Sequence, residues 1–309
     1  METEVGRGAV ADGLKRVPPG RVEVLATLRT LGRLARGVAC VLHGALQCAV
    51  LFPFLDAAGC RQRVCRWSRG MLRAFAIELR PSGPVGRAPV LLLANHVSWL
   101  DILALNAVAP VRFVAKSDLR AWPVLGFMVA CGGTLFIERD RKRDALRVVH
   151  RIAEALGHGD VVAVFPEGTT GTGPVLLPFH ANLLQAAVAT DAALQAVALR
   201  YADQSGAFSA CAAYVGEMSL LQSVWRVAGA RGMQVHVAFL PPIAPACADR
   251  RSLAESARRQ IQQHLDAGGG TDWSRALVPD VPGDLPASDS PLSETQGEQP
   301  AAASHLPAV

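Results

Sequence analysis

The sequence predicts an α/β fold, a β-sheet flanked by helices, and three observations carry that expectation. Short apolar runs of strand length alternate with helix-length segments from about residue 88 to residue 245. Half of the residues are hydrophobic, ample for a sizeable core in a chain of 309. A separate apolar stretch, Gly37–Leu55, lies ahead of the alternation and sets the N-terminal region apart.

Residues 1–20 contain acidic groups and no apolar core, so they read as a flexible N-terminus and not as a cleaved signal peptide. Residues 21–80 read as a membrane-associated helical segment. Its Gly37–Leu55 stretch is almost wholly apolar and close to the lower limit for spanning a bilayer, yet it includes His43, Gln47, two glycines and Pro53. Arg29, Arg33 and Arg36 precede it, and Arg61, Arg63, Arg66, Arg69 and Arg73 follow it. Such symmetry leaves the positive-inside rule nearly silent on orientation. The stretch can span once, dip in as a re-entrant helix, or lie submerged beside a second helix running from about Arg61 to Glu78.

Residues 81–267 form the main domain. Strands are expected near 90–94, 111–115, 133–137, 161–165, 194–200 and 235–240, and helices near 99–108, 123–130, 141–156 and 180–190. Ser252–Ala267 reads as a further helix. From 268 to 309 the Gly, Pro, Ser and Ala content indicates a disordered tail.

The formal charge of +5 is modest, and the arginines cluster beside the apolar stretch. That suits an anionic membrane surface better than a nucleic-acid groove, where interleaved aromatics are expected. Seven cysteines, an odd number with no C-x-x-C pair, indicate reduced thiols in a cytosolic environment and argue against zinc.

The most informative stretch is Asn95-His96-Val97-Ser98-Trp99-Leu100-Asp101, a histidine followed five residues later by an aspartate. Five helical steps of about 100° would leave the two side chains roughly 140° apart, so they cannot share a face of one helix. They meet if His96 follows the strand Val90–Ala94 and Asp101 lies in the first turn of the helix Trp99–Val108. An Asp-oriented imidazole there is a general base for an alcohol. The same residues also fit a capping box with Ser98 as N-cap and Asp101 three residues on, which would make Asp101 purely structural.

Three further blocks follow in order: Gly133–Arg141 with Arg139, Val164–Thr170 with Glu167, Gly168 and Thr169, and Val237–Pro242 with Pro241 and Pro242. Together the four blocks resemble the glycerophospholipid acyltransferases, whose bacterial type member acylates 1-acylglycerol 3-phosphate. The resemblance runs from Asn95 to Pro242, about half the chain. It implies a mixed sheet flanked by helices, preceded by an N-terminal membrane-docking helical segment. It implies that His96 is the base and Asp101 its partner, that Arg139 meets the acceptor's phosphate, and that Glu167 and Gly168 shape the acceptor site. Pro241 or Pro242 matches the proline of the fourth block. Where many members continue the third block with arginine, this chain has Thr170.

Acyl transfer from a thioester needs an oriented alcohol, a base near neutral pKa and donors for the oxyanion, and neither a metal nor a serine nucleophile. The co-substrate is then an acyl-CoA or acyl carrier protein thioester, with no other cofactor. Lys116, Arg139 and Arg141 lie near expected strand ends and are candidate head-group cations. Val161–Phe165 reads as a buried strand whose Pro166-Glu167-Gly168 turn lies where open α/β sheets place ligands. The glycines at 168, 171 and 173 spell no dinucleotide or Walker loop, and the absence of G-x-S-x-G speaks against a serine lipid hydrolase.

The expected activity is therefore O-acylation of a membrane lysolipid, most directly 1-acyl-sn-glycerol 3-phosphate, at the inner membrane with the domain facing the cytoplasm. Lyso-ornithine lipid is the alternative acceptor. A non-catalytic membrane lipid-binding protein is the alternative of another class, and it would need neither His96 nor Asp101.

Overall fold

A computed structural model of the chain describes residues 20–137, 142–243 and 249–268. The N-terminus up to 19 and the tail from 269, read above as flexible and disordered, lie outside the described residues, as do Arg139 and Arg141.

The chain opens with α1 (Arg21–Val50), turns through a short 3-10 segment at Phe52–Phe54, and returns as α2 (Ala57–Ala74). The turn is built by Pro53 and by Asp56, whose carboxylate accepts from the backbone N–H of Gly59 as an N-cap. The two helices pack antiparallel: the Trp67 indole N–H donates to the Cys40 carbonyl at 2.8 Å, and the Gly37 backbone lies against Phe75.

The expected helix from Arg61 to Glu78 is too long, because α2 stops at Ala74. Ala76 adopts φ 55°, and the N–H groups of Ala76 and Ile77 return to the carbonyls of Arg73 and Leu72. That is a Schellman ending with alanine in the left-handed position usually held by glycine, so the sequence carried no stop signal. Glu78 instead begins an unforeseen strand, β1 (Glu78–Ser82).

The remaining elements alternate as expected: β2 (Val90–Ala94), α3 (Leu100–Val108), β3 (Arg112–Lys116), α4 (Leu125–Cys131), β4 (Leu135–Ile137), α5 (Lys142–Gly157), β5 (Val161–Val164), α6 (Gln185–Thr190) and β6 (Ala193–Ala202). Then come α7 (Leu220–Gly229), β7 (Gln234–Ile243) and α8 (Arg250–Ala267). Helix α7 was not anticipated, although Ser219 and Gln222 form a complete capping box whose S-x-x-Q signature was visible.

The seven strands run in the order β1-β7-β6-β2-β5-β3-β4. Strands β6, β2, β5, β3 and β4 are mutually parallel, whereas β7 is antiparallel to β6 and parallel to β1, so the sheet is mixed. One face packs Met71 and Leu72 of α2 and Phe75 just beyond it, Leu100 and Leu103 of α3 and Val227 of α7. The other packs Val148 and Ile152 of α5, Ala186 of α6 and Leu253, Ala257 and Ile261 of α8. Strand β2 is buried on both faces, which is why Val90–Ala94 reads as an unbroken apolar run.

Two arginines assigned above to the membrane flank are structural. Arg33 is buried, and its guanidinium donates to the Ala228 and Ala230 carbonyls at the end of α7. Arg69 Nε donates to the Ala107 carbonyl in the last turn of α3. Each cation closes a helix C-terminus, where orphan carbonyls and the helix dipole favour positive charge.

Candidate active site

Strand β2 ends at Ala94, and Asn95 continues its ladder with a side chain. The carboxamide donates to the Leu199 carbonyl at 2.9 Å and accepts from the Leu199 N–H at 2.7 Å, replacing one backbone residue in the pairing with β6. The main chain is thereby free to leave the sheet and carry His96 across its carboxyl edge.

His96 is 1% exposed, and its ring stacks on Phe165 with centroids 4.0 Å apart; Phe113 stacks behind Phe165. Nδ1 lies 2.8 Å from Oδ2 of Asp101, which sits in the first turn of α3, where the helix N-terminus favours an anion. The same oxygen accepts from the N–H groups of Val97 at 2.7 Å and Ser98 at 2.9 Å, and Oδ1 accepts from the Tyr201 hydroxyl at 2.7 Å. With a carboxylate on Nδ1 the imidazole keeps its proton there and presents the lone pair of Nε2, an assignment made from the partners. Nε2 is buried without a hydrogen-bond partner. The unsatisfied nitrogen is the atom a substrate hydroxyl would meet.

The capping-box reading of Ser98 is corrected. Its hydroxyl makes no hydrogen bond, and Trp99 stands at the helix N-cap without a side-chain bond. The loop is capped from within by Asp101, so this carboxylate organises the turn and faces the imidazole at once.

Tyr201 is a member of the site that the sequence reading missed. It is fully buried on β6, and burial, reinforced by the Asp101 charge and their hydrogen bond, pushes its phenol well above the usual range, so it remains a donor. Only the pairing of β6 beside β2 brings it one hundred residues back to Asp101.

Glu167 turns inward. Oε1 accepts from the His96 N–H at 2.7 Å and Oε2 from the Leu177 N–H at 2.8 Å, while the His96 carbonyl accepts from Gly171 N–H at 2.7 Å. Burial raises the Glu167 pKa, with the two backbone donors and His96 pulling the other way. Gly168 holds φ 71°, and a Cβ there would press on the His180 ring at 3.2 Å. Thr169 is exposed on the turn, and the Thr170 hydroxyl donates to the Tyr214 carbonyl. Tyr214 N–H in turn donates to the Val97 carbonyl. His96 and Val97 are thus held by three different chain segments.

Lys116 ends β3, at the same carboxyl edge of the sheet as His96. Arg139 follows β4, which ends at that edge too, and lies outside the described residues. Pro241 is not brought to His96: β7 runs antiparallel, so its prolines pair with the start of β6 at the opposite edge. Prolines offer no N–H to the ladder, and the register shifts there between Gln195 and Val197. The Gln195 amide donates to the carbonyls of Leu240 and Pro84.

An apolar cavity opens behind Phe113, lined by Phe52, Trp67, Ile102, Leu103, Leu125 and Met128. Through Phe113 and Phe165 it adjoins the shelf on which His96 rests.

A family model described as Acyltransferase matches residues 76–200. The chain is 37% identical over 243 residues to a lyso-ornithine lipid O-acyltransferase of Pseudomonas aeruginosa, covering 78% of this chain and 93% of that one. It is 41% identical over 179 residues to a 1-acyl-sn-glycerol-3-phosphate acyltransferase of Neisseria meningitidis, covering 57% and 70%. The crystal structure of the 1-acyl-sn-glycerophosphate acyltransferase from Thermotoga maritima shares the fold with TM-score 0.58 at 17% identity, covering 79% of this chain and 96% of that one. A buried His96–Asp101 pair with an open imidazole nitrogen, on this fold and with these relatives, places the chain in the acyltransferase family.

Proposed function

We propose that the protein is a membrane-bound O-acyltransferase that moves an acyl chain from a thioester to the free hydroxyl of a lysolipid. The observation that carries this reading is the unpartnered, buried Nε2 of an imidazole whose Nδ1 is fixed by Asp101. Nε2 takes the hydroxyl proton as the acceptor oxygen attacks the thioester carbonyl; Asp101 stabilises the imidazolium that forms. The carbon–sulfur bond breaks as the tetrahedral intermediate collapses, and the proton passes from Nε2 to the departing thiolate. The apolar cavity behind Phe113, two stacked rings away from His96, is the candidate place for part of an acyl chain.

The leading acceptor is 1-acyl-sn-glycerol 3-phosphate, giving phosphatidic acid, with Arg139 and Lys116 as head-group cations and Glu167 and Gly168 shaping the acceptor site. Lyso-ornithine lipid is the second reading, supported by the extent of the match to the Pseudomonas relative and by Thr170, whose hydroxyl is committed to Tyr214. Pro241, at the far edge, supports the sheet and not the acceptor in this reading. The acyl donor is coenzyme A or acyl carrier protein thioester.

Membrane seating is assigned to α1. Val24, Leu25, Leu28, Leu31, Val38, Leu42, Leu46 and Val50 leave an apolar stripe exposed along it, and the helix is long and apolar enough to cross a bilayer. Its antiparallel return through arginine-rich α2, which packs on α3, favours a hairpin lying in the interface over a crossing. An inner-membrane location with the site facing the cytoplasm follows from cytosolic acyl donors, and the six described cysteines are free.

The test is an assay of the purified protein in vesicles with an acyl thioester and each lysolipid, alone and in competition. Acceptor-dependent transfer is expected, with lysophosphatidic acid preferred. Thioester hydrolysis without an acceptor, or binding without turnover, would overturn the enzyme reading, and a strong preference for lyso-ornithine lipid would reassign the acceptor.

A further inference from the structure

The connection from β6 to β7 contains α7, whose outer face the transfer chemistry does not use. Ser223, Val227 and Ala228 turn toward the core, while Leu221 is 81% exposed and Trp225 50% exposed. Leu221, Trp225 and Gly229 follow one another at steps of four, so they form one stripe along the helix. The last of them lies against α1, with the Thr30 hydroxyl 3.8 Å from the position a Cβ on Gly229 would take. Arg33 of α1 closes the end of the same helix through Ala228 and Ala230. The α7 stripe therefore meets α1 at Thr30, on the buried side of that helix, while Val24, Leu25, Leu28 and Leu31 leave the other side of α1 exposed.

We propose that α7 is a second membrane-seating element, with Leu221 and Trp225 entering the boundary between head groups and acyl chains beside α1. The inference rests on the membrane reading of α1 given above. The two neighbouring helices pack through their other sides and each leaves an apolar face outward, and α1 is long and apolar enough for a bilayer to be the cover of both. An amphipathic tryptophan at the edge is the residue type that settles at such a boundary. Arg36 and Arg226 lie exposed along the same two helices and match an anionic leaflet.

The seating reaches the catalytic loop through two contacts. The Trp99 indole N–H donates to the Ser223 hydroxyl at 3.0 Å, and the Tyr214 N–H, in the approach to α7, donates to the Val97 carbonyl at 3.0 Å. The segment that touches lipid is thus the one that braces the turn holding His96, so it orients the site toward an acceptor presented from the bilayer.

The experiment uses the full-length protein in vesicles of phosphatidylethanolamine and phosphatidylglycerol, about three to one, with and without phospholipids brominated near the head group. The wild type is expected to show a quenched tryptophan component that Trp225→Phe lacks. The Leu221→Asp/Trp225→Asp protein, checked for native circular dichroism, is expected to raise the apparent KM for a vesicle-borne lysolipid about fivefold or more. Its kcat/KM for the same lysolipid in detergent micelles stays within about twofold of wild type. Unquenched Trp225 in protein that still sediments with vesicles overturns the role of α7 and leaves α1 standing. Protein that does not sediment with vesicles at all overturns both readings. Unquenched Trp225 in a stable dimer, seen by analytical ultracentrifugation, assigns the face to a second copy and also overturns the proposal. Trp225→Phe alone keeps the test decisive if the double variant fails to fold.

Discussion

The Tyr201 hydroxyl lies 2.7 Å from Oδ1 of Asp101, on the side of the carboxylate away from His96. The aspartate is therefore gripped from two sides, by α3's own entry loop and by β6. Tyr201→Phe keeps the packing and removes one hydrogen bond to a charged group, a loss of about 1.5–3 kcal/mol. If the tyrosine only filled space, kcat would not move. A fall in kcat of roughly tenfold, with the acceptor KM unchanged, is expected from steady-state kinetics.

His96→Ala is expected to abolish transfer while the protein still sediments with membranes, because the ring takes no part in the apolar face of α1. Asp101→Asn leaves a neutral partner on Nδ1 and is expected to lower turnover by about three to four orders of magnitude. Near-normal turnover of a folded His96→Ala protein would sink the mechanism.

Arg139→Ala is expected to raise the apparent KM for lysophosphatidic acid by about thirtyfold, the equivalent of about 2 kcal/mol for a lost charged hydrogen bond. The corresponding KM for a neutral lysolipid analogue should change little. Equal KM values for wild type and variant with lysophosphatidic acid would remove this arginine from the head-group site.

His236 gives the fold an acid limit. Burial, with help from Arg200 and Arg80, lowers its pKa from 6.5 to about 4 in the folded chain. The unfolded chain takes up a proton below about 6.5 that the folded chain refuses, so stability falls as pH drops from about 6.5 toward about 4. The full shift is equivalent to about 3 kcal/mol, and because the imidazole is only half-buried and solvent screens its neighbours the expected loss is on the order of 2 kcal/mol or less. Urea denaturation midpoints measured across that range should decline in the wild type and decline less in His236→Gln.

Removing residues 1–80 is expected to leave insoluble protein and not a free catalytic domain. Met71, Leu72, Phe75 and Ile77 belong to the main core, and the strand beginning at Glu78 pairs with β7. Recovery of a soluble, active fragment from that deletion would contradict this partition.

Much of the domain was legible because buried parallel strands announce themselves as apolar runs: Val90–Ala94 and Val161–Val164 lie where they were expected. The His96–Asp101 pair was legible from its spacing together with the three blocks that follow it, since the spacing alone also fits a capping box. What escaped were features decided at a distance. Ala76 ends α2 without a glycine, Tyr201 reaches Asp101 only through strand pairing, and Arg33 caps a helix almost two hundred positions away. The orientation of β7 reverses the place of Pro241, and a sequence block does not state which edge of a sheet its strand ends on.

The side-chain pairing of Asn95 with Leu199 has a consequence for how the site meets its substrates. The turn after β2 is stitched to β6, to Glu167, to Gly171 and to Tyr214, so it has no independent hinge. Amide protons of His96, Leu199, Gly171 and Tyr214 should then exchange with solvent only when the sheet itself opens. A base held so rigidly needs no reorganisation at the moment of reaction, and the motion that admits a lipid falls to the lipid and to the helices around the cavity, not to the residues that do the chemistry.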